Sequence, residues 1–415
     1  VLEGQRARLG DKHAQTAKTL SELATVESHR ENFQRAASLM ERALDIRQDV
    51  FPEDHPTVAV TMVNLSGIVE ELGRYDRAET LCRTALDLLE SRLPPDHAEV
   101  IMTRSRLAGV LGLQGRFDQA LALQRSALSQ LRERYGSSHP RVVLATHNLA
   151  ASEHDFGDYA SARERLEEVI AAWESIHGPT HKYVAFARGV LGKTLIELAD
   201  PQAGRAELLE ARRIASEALG ERTPVVAAHR FHLGRAALMA GDLDAAREHL
   251  NASLALREQL FEGEAHFALA DSHHGLGELA LALERWEEAL TRFERGLEMR
   301  RAIHGGAHYE VVRSLTGVAR AQLAAGRVEA ACVAAGEAVA MAREVSAPPH
   351  TLGRALLARA RCRAAAGSIE EARVTLTEGL RHLERCHPAN HPVVTGARDL
   401  LARLSDDEDR SPRVS

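Results

Sequence analysis

Residues 55–86 read HPTVAVTMVNLSGIVEELGRYDRAETLCRTAL. In the first part of this stretch the apolar residues follow three- and four-residue spacings, not strict alternation, which is the pattern of a helix with one buried face. Gly73-Arg74-Tyr75 then interrupts the pattern. A glycine, a polar residue, a large apolar residue and a short gap to Ala78 make a tight turn between two helices. At the other end, Pro56 suits a first helical turn, because its missing N–H has no intrahelical partner there. The stretch therefore predicts a helical hairpin.

The hairpin recurs. Histidines fall at His13, His55, His97, His139 and His181, each 42 residues after the last. Thr223 holds the same slot, and then, approximately, His308, His350 and His391 do. A second marker follows each early histidine by 18 residues: ENF at 31, GRY at 73, GRF at 115 and GDY at 157, with GDL at 241, ERW at 284, GRV at 326 and GSI at 367 further on. Beyond it stands Ala36, Ala78, Ala120, Ala162, Ala246, Ala289, Ala331 or Ala372. In the first helix a large residue (Leu23, Leu65, Leu107, Leu149, Leu191, Leu233, Leu276 or Val318) precedes a small one (Ala24, Ser66, Ala108, Ala150, Gly192, Gly234, Gly277 or Ala319). Knobs beside holes are what stacked helix pairs need.

These markers predict an all-α superhelix of about nine hairpins, as a single array over 1–404, starting near 13, 55, 97, 139, 181, 223, 265, 308 and 350. A capping helix is expected over 391–404 and a disordered acidic tail over 405–415, SDDEDRSPRVS. Two repeats are irregular. In the fifth, DPQAG at 200–204 replaces the simple turn and is expected to lengthen it by a residue or two. In the ninth, Arg359 occupies the large apolar slot and the first helix is expected to be slightly shifted.

Composition bounds the function. A chain of 415 residues exceeds what one compact core usually holds, and a repeat array is one way to use that length. A net charge of -7 gives no global attraction to nucleic acid or anionic membrane, and 4% aromatics argues against a base-stacking surface. Cys82, Cys332, Cys362 and Cys386 form no close C-x-x-C pair, which points to a reducing, cytoplasmic compartment. No apolar run is long enough for a membrane span. The chain begins at Val1, and its natural start is expected to lie upstream.

In Asn64-Leu65, Gly73-Arg74-Tyr75, Ala78 and Ala85-Leu86 the chain resembles tetratricopeptide repeat proteins. It is most similar to their long-unit variety with His-Pro starts, found in kinesin light chains and many bacterial signalling proteins. The likeness runs from about His13 to Leu404. It implies a right-handed solenoid whose first helices line a concave face that captures a peptide or partner domain. Arrays of this kind also follow the kinase domain of some bacterial serine/threonine protein kinases. That gives an alternative reading, a regulatory or sensory C-terminal region whose catalytic domain lies outside this chain.

The family pattern assigns groove-facing slots. They include Val60, Val63, Gly67, Glu70 and Glu71 in the second repeat, Met102, Ser105, Gly109, Gly112 and Leu113 in the third, and Leu144, His147, Ala151, His154 and Asp155 in the fourth. Phe186 and Lys193 fall there in the fifth, and Phe231, Arg235 and Met239 in the sixth. Arg313, Arg320, Arg354 and Arg361 extend Arg235 into a basic ladder, and guanidinium forks suit carboxylate or phosphate oxygens. An acidic or phosphorylated segment is the expected guest of that half, with apolar pockets around Phe186, Phe231 and Met239.

Catalytic and cofactor chemistry finds little support. The repeating histidines lie one per repeat, too far apart to converge on a zinc ion, and read as helix-start residues bonding exposed backbone groups. His229 and His232, His147 and His154, and the consecutive His273 and His274 lack the spacing of a hydrolytic zinc helix. The glycines from Gly109 to Gly115 fall within and at the end of a helix, not in a strand-to-helix phosphate loop. No nucleophile elbow, Walker lysine or kinase signature is present. The sequence thus predicts a protein-interaction scaffold, not an enzyme, with no cofactor, no metal and no nucleic acid.

Overall fold

The computed structural model describes residues 8, 10–29, 32–52, 55–261 and 265–410, apart from the side chains of His29 and 406–410. Between Ala14 and Arg410 it holds nineteen α-helices, and there is no strand among the described residues. The contacts divide the chain into two compact blocks, Val1–Ser152 and Glu153–Ser415, and the division falls inside the helix Pro140–Phe156.

Within each block the same hairpin is built again and again. Pro56–Glu71 pairs with Tyr75–Glu90, and Ala98–Leu113 with Phe117–Tyr135, in the N-terminal block. In the C-terminal block Lys182–Glu197 pairs with Pro201–Leu219, and Pro224–Met239 with Leu243–Leu260. First helices of adjacent repeats also touch, as Pro56–Glu71 does Ala98–Leu113 and Tyr309–Ala324 does Pro349–Ala365. The first helices therefore lie on the inside of each block's curve.

Knob and hole pack as the spacing predicts. Leu65, Leu107, Leu149, Leu191, Leu233, Leu276 and Val318 are all buried; Leu23, near the start, is half-buried. The small partners are small because the neighbouring helix fills the space. A Cβ on Gly234 would stand 2.6 Å from Leu250 Cγ, and one on Gly277 would stand 2.8 Å from the ring of Phe293. Ala36, Ala78, Ala120, Ala162, Ala246, Ala289, Ala331 and Ala372 are all fully buried.

The corner between helices has a fixed conformation. Gly73, Gly115, Gly157, Gly241, Gly326 and Gly367 all have φ between 70° and 99°, the left-handed region that glycine enters freely. The fifth repeat keeps this corner without lengthening it. Lys182–Glu197 ends and Pro201–Leu219 begins after the same three-residue gap as in the second repeat, with Ala199 taking φ 61° in glycine's place. The turn holds its length because Asp200 caps the next helix through Ala203 N–H and Pro201 needs no donor. Glu284 does the same at φ 58° in the seventh repeat.

The recurrent histidine is a helix cap. Nδ1 of His13, His55, His97, His139 and His181 accepts from the backbone N–H two residues on, and Thr223 Oγ1 accepts from Val226 N–H. His308 and His391 cap in the same way, as does His266, which the 42-residue count passes over. His350 does not: the helix Pro349–Ala365 is capped from Pro348, so His350 already lies inside it. This is the shift expected for the ninth repeat, and Arg359 there is half-buried while Leu356 and Leu357 fill the core. Most caps carry an aromatic ring stacked on the histidine, from Phe51 on His55 at 4.4 Å to His387 on His391 at 4.2 Å. The last helix, Pro392–Arg410, extends past Leu404, since the next helix breaker is Pro412; residues 411–415 lie outside the described residues.

Candidate functional site

In the C-terminal block the inner face is occupied by the chain's own ion pairs. Each pair joins neighbouring repeats at a fixed register. Lys193 meets Asp155 at 3.2 Å, and Arg235 meets Glu197 at 2.5 Å. Both place the twelfth residue after one cap beside the sixteenth after the preceding cap. Arg313 meets Asp271 at 3.0 Å and Arg320 meets Glu278 at 2.5 Å, each joining equal register positions 42 residues apart. Arg300, almost wholly buried, adds a second guanidinium to Asp271 at 2.6 Å and donates to Ser314. Burial would raise the Asp271 carboxyl, but Arg313 and Arg300 hold it below its ordinary value.

Glu197 is the hub of this face. Besides Arg235 it holds Arg354 at 3.2 Å, and its backbone carbonyl stands 3.1 Å from His387 Nδ1. His391 Nε2 stands 4.0 Å from the carboxylate. Burial alone would raise Glu197, but Arg235, Arg354 and His387 outweigh it and keep the group well below the usual carboxylate range. Burial first, then the adjacent Arg354, pushes His387 down to about 4. The C-terminal block thereby closes on itself, with the ninth repeat and the last cap resting on the fourth and fifth repeats. Cys386 lies against Gly157, and the buried Tyr159 ring stands 5.3 Å from His387 and 6.1 Å from His350.

Glu197, His387 and His391 form the one grouping among the described residues whose spacing approaches a metal site. The geometry does not fit an ion. The two imidazoles stack with planes 27° apart, so their nitrogen lone pairs do not converge. His391 Nδ1 is already the cap acceptor, and two guanidiniums flank the carboxylate. His229 packs against Gly189, His274 lies 3.6 Å from Glu278, and neither belongs to that grouping.

The expected groove residues are thus dispersed by chemistry. Arg235, Arg313, Arg320 and Arg354 are half-buried and already paired with carboxylates of the chain, as is Lys193. Arg361 is half-buried and has no ion pair among the described residues. His154 is buried, 3.0 Å from Thr194 Oγ1. Phe231 is core: Arg257 lies over its ring at 4.9 Å and a Cβ on Gly275 would meet it at 2.8 Å. Met239 is half-buried against Leu208 and Leu233, Phe186 is half-buried near Tyr183, and His147 is half-buried. Two signals lay unread in the sequence. Arg313 and Arg320 each have an acidic residue one period earlier, and an aromatic or histidine precedes most caps by four residues.

The N-terminal block presents a different inner face. At the register position that holds Asp271 and Arg313 it carries Val60, Met102 and Leu144. Val60 is half-buried, but Met102 and Leu144 are 43% and 42% exposed. At the position of Lys193 and Arg235 it carries Gly67, Gly109 and Ala151. Arg106 lies over Gly67 and pairs with Glu70 at 3.2 Å, whereas the space a side chain would take at Gly109 holds nothing within 4 Å.

Two surface hollows, with volumes of 210 and 200 Å³, lie beside the turns of the C-terminal block. Both fall below the roughly 300 Å³ at which small-molecule sites begin. No helix among the described residues is long and apolar enough to cross a membrane.

No curated protein matches the chain. Among solved structures, a Rap protein complexed with competence and sporulation factor aligns at TM-score 0.55 and 13% identity, covering 84% of this chain and 98% of that one. The apo form of RapI aligns at TM-score 0.52 and 14% identity, covering 70% and 99%. BtubC (BKLC) of P. vanneervenii aligns at TM-score 0.41 and 22% identity, covering 57% and 92%. At these identities the likeness concerns the fold. The tetratricopeptide repeat model matches residues 15–91, 57–133, 99–175, 141–203, 191–259 and 268–344. With that match running through most of the helical hairpins described above, the chain belongs to the tetratricopeptide repeat family.

Proposed function

We propose that this protein is an interaction scaffold that holds a peptide segment of a partner against the inner face of its N-terminal block. Membership of a repeat family fits a non-catalytic scaffold. The observation that carries the reading is the exposure of Met102 and Leu144 at the register position that the seventh and eighth repeats fill with the Asp271–Arg313 pair. Apolar side chains left in water at equal positions of consecutive repeats favour a guest that covers them. That a Rap protein with a related fold is complexed with competence and sporulation factor is in keeping with a groove-binding role.

The alternative guest, an acidic or phosphorylated segment along the C-terminal arginines, has less to draw on. Four of the five guanidiniums are engaged inside the chain, and an incoming anion would have to displace a carboxylate already in place. Arg361 alone offers a charge with no such competitor among the described residues.

The test is peptide display panned against the chain, with each selected peptide re-measured on Met102→Glu/Leu144→Glu and on Arg361→Ala. Binders that lose affinity on the first variant and keep it on the second support the inner-face reading. Binders indifferent to Met102 and Leu144 overturn it.

A further inference from the structure

The register that pairs cation with carboxylate in the C-terminal block is half-built in the N-terminal block. In the fourth, fifth and sixth repeats the sixteenth residue after one cap is acidic and the twelfth after the next is basic, giving Asp155–Lys193 and Glu197–Arg235. In the second and third repeats the same two positions are Glu71 and Gly109. The carboxylate is there and the cation is missing. Glu71 is exposed and has no ion pair among the described residues, because the nearby Arg106 closes on Glu70 instead. Where Lys193 and Arg235 extend their stems, Gly109 leaves open space. Met102 lies seven residues before Gly109 on the same helix, hence on the same face, and Leu144 holds Met102's position in the next repeat.

We propose that the inner face of the N-terminal block selects a partner segment in which a lysine or arginine is flanked by apolar side chains, the cation entering the space over Gly109 to pair with Glu71 and the apolar residues covering Met102 and Leu144. This rests on the scaffold reading above and names the chemistry of its guest. Charge complementarity sets the sign. The slot takes a cation because Glu70 and Glu71 are adjacent carboxylates that share the guanidinium of Arg106, which closes on Glu70, and the stem of Lys or Arg fits because the chain itself uses those residues at the equivalent positions.

The experiment uses the full chain and short fluorescein-labelled peptides with leucines on both sides of a central Arg, Lys, Gln or Glu, measured by fluorescence polarisation. The Arg and Lys peptides should bind the unaltered chain at least about ten-fold more tightly than the Gln peptide, the worth of one charge-assisted pair. The Glu peptide should bind weakest. Glu71→Gln should erase the Arg-over-Gln preference. Gly109→Arg, which fills the space with the chain's own guanidinium, should also erase it without lowering the melting temperature, since arginine is a better helix former than glycine. Equal binding of Arg and Gln peptides to the unaltered chain, or a preference that survives Glu71→Gln, overturns the proposal. If such equal binding is still lost in Met102→Glu/Leu144→Glu, the scaffold reading stands and only the cation slot fails. If none of the peptides binds, both fail.

Discussion

Arg354 and Glu197 stand 3.2 Å apart in the C-terminal block although 157 positions separate them in sequence. The contact closes one turn of stacked hairpins, and the same carboxylate also holds Arg235. Glu197→Gln should be the more damaging change, because it leaves two half-buried guanidiniums without their shared carboxylate. Both reach solvent, which reduces the cost below that of a fully buried pair, to about 1–3 kcal/mol. Arg354→Gln should cost much less, since Arg354 is 40% exposed and Arg235 still neutralises Glu197. Thermal melts give the ranking, and hydrogen exchange around 387–391 should quicken in the Glu197 variant. Equal melts for the two variants would remove Glu197 from its place as the hub.

The same region should make stability fall with acid. Burial foremost holds His350 and His387 at about 4 and His391 at about 3, against an ordinary 6.5. Each binds a proton less readily folded than unfolded. Between roughly pH 6.5 and 4 the unfolded chain therefore takes up more protons, and stability drops as pH falls through that window. His391 adds a mechanism, since a proton on Nδ1 would end its cap to Val393. Melting temperature should be level above about pH 7 and decline steeply below 6.5. A flat profile down to pH 4 would mean these imidazoles are not buried as described.

Charge reversal at Arg313 should act on the fold itself. Arg313 lies 3.0 Å from Asp271 and 3.5 Å from Glu310, beside Arg300. Arg313→Glu would gather three carboxylates around one guanidinium and cost on the order of 1–3 kcal/mol. The further change Asp271→Arg should restore only part of that loss, because the new guanidinium would face the buried Arg300, which loses its 2.6 Å partner. A melt of Arg313→Glu that matches the parent would show that the pair is idle.

The array was legible because its causes are local. A helix pair must hide one face, so Leu65 and Ala78, or Leu149 and Ala162, recur at the spacing that hides it, and the period follows. Charges within the array were half legible. Read singly, Arg313 and Arg320 look like an open ladder; read with the 42-residue period applied to acids as well, Asp271 and Glu278 are their partners. The Arg354–Glu197 contact was not legible at all. It depends on how far each hairpin rotates against the next, summed over several repeats, and no single residue carries that sum. Phe231 was misread for a related reason, because facing the groove in one repeat does not exclude burial under Arg257 from the next helix.

The corner conformation yields the last prediction. Ala199 and Glu284 occupy the left-handed slot at φ 61° and 58° that glycine fills in six other repeats. A side chain there brings Cβ close to the following carbonyl oxygen, at about 1–2 kcal/mol. Replacing either by glycine removes that strain but also loosens the unfolded chain, which returns part of the gain. Ala199→Gly and Glu284→Gly should each stabilise by roughly 0.5–1 kcal/mol. The reverse change at an equivalent corner, Gly241→Ala, should destabilise by a similar amount, and nothing stands within 4 Å of its Cβ position to confuse the result with a clash. Because such arrays unfold by neighbouring repeats, local hydrogen exchange at each corner is a sharper measure than a global melt. Slower exchange at 199 and 284 and faster exchange at 241 is the expected pattern, and the opposite signs would mean the corner is not the strained element.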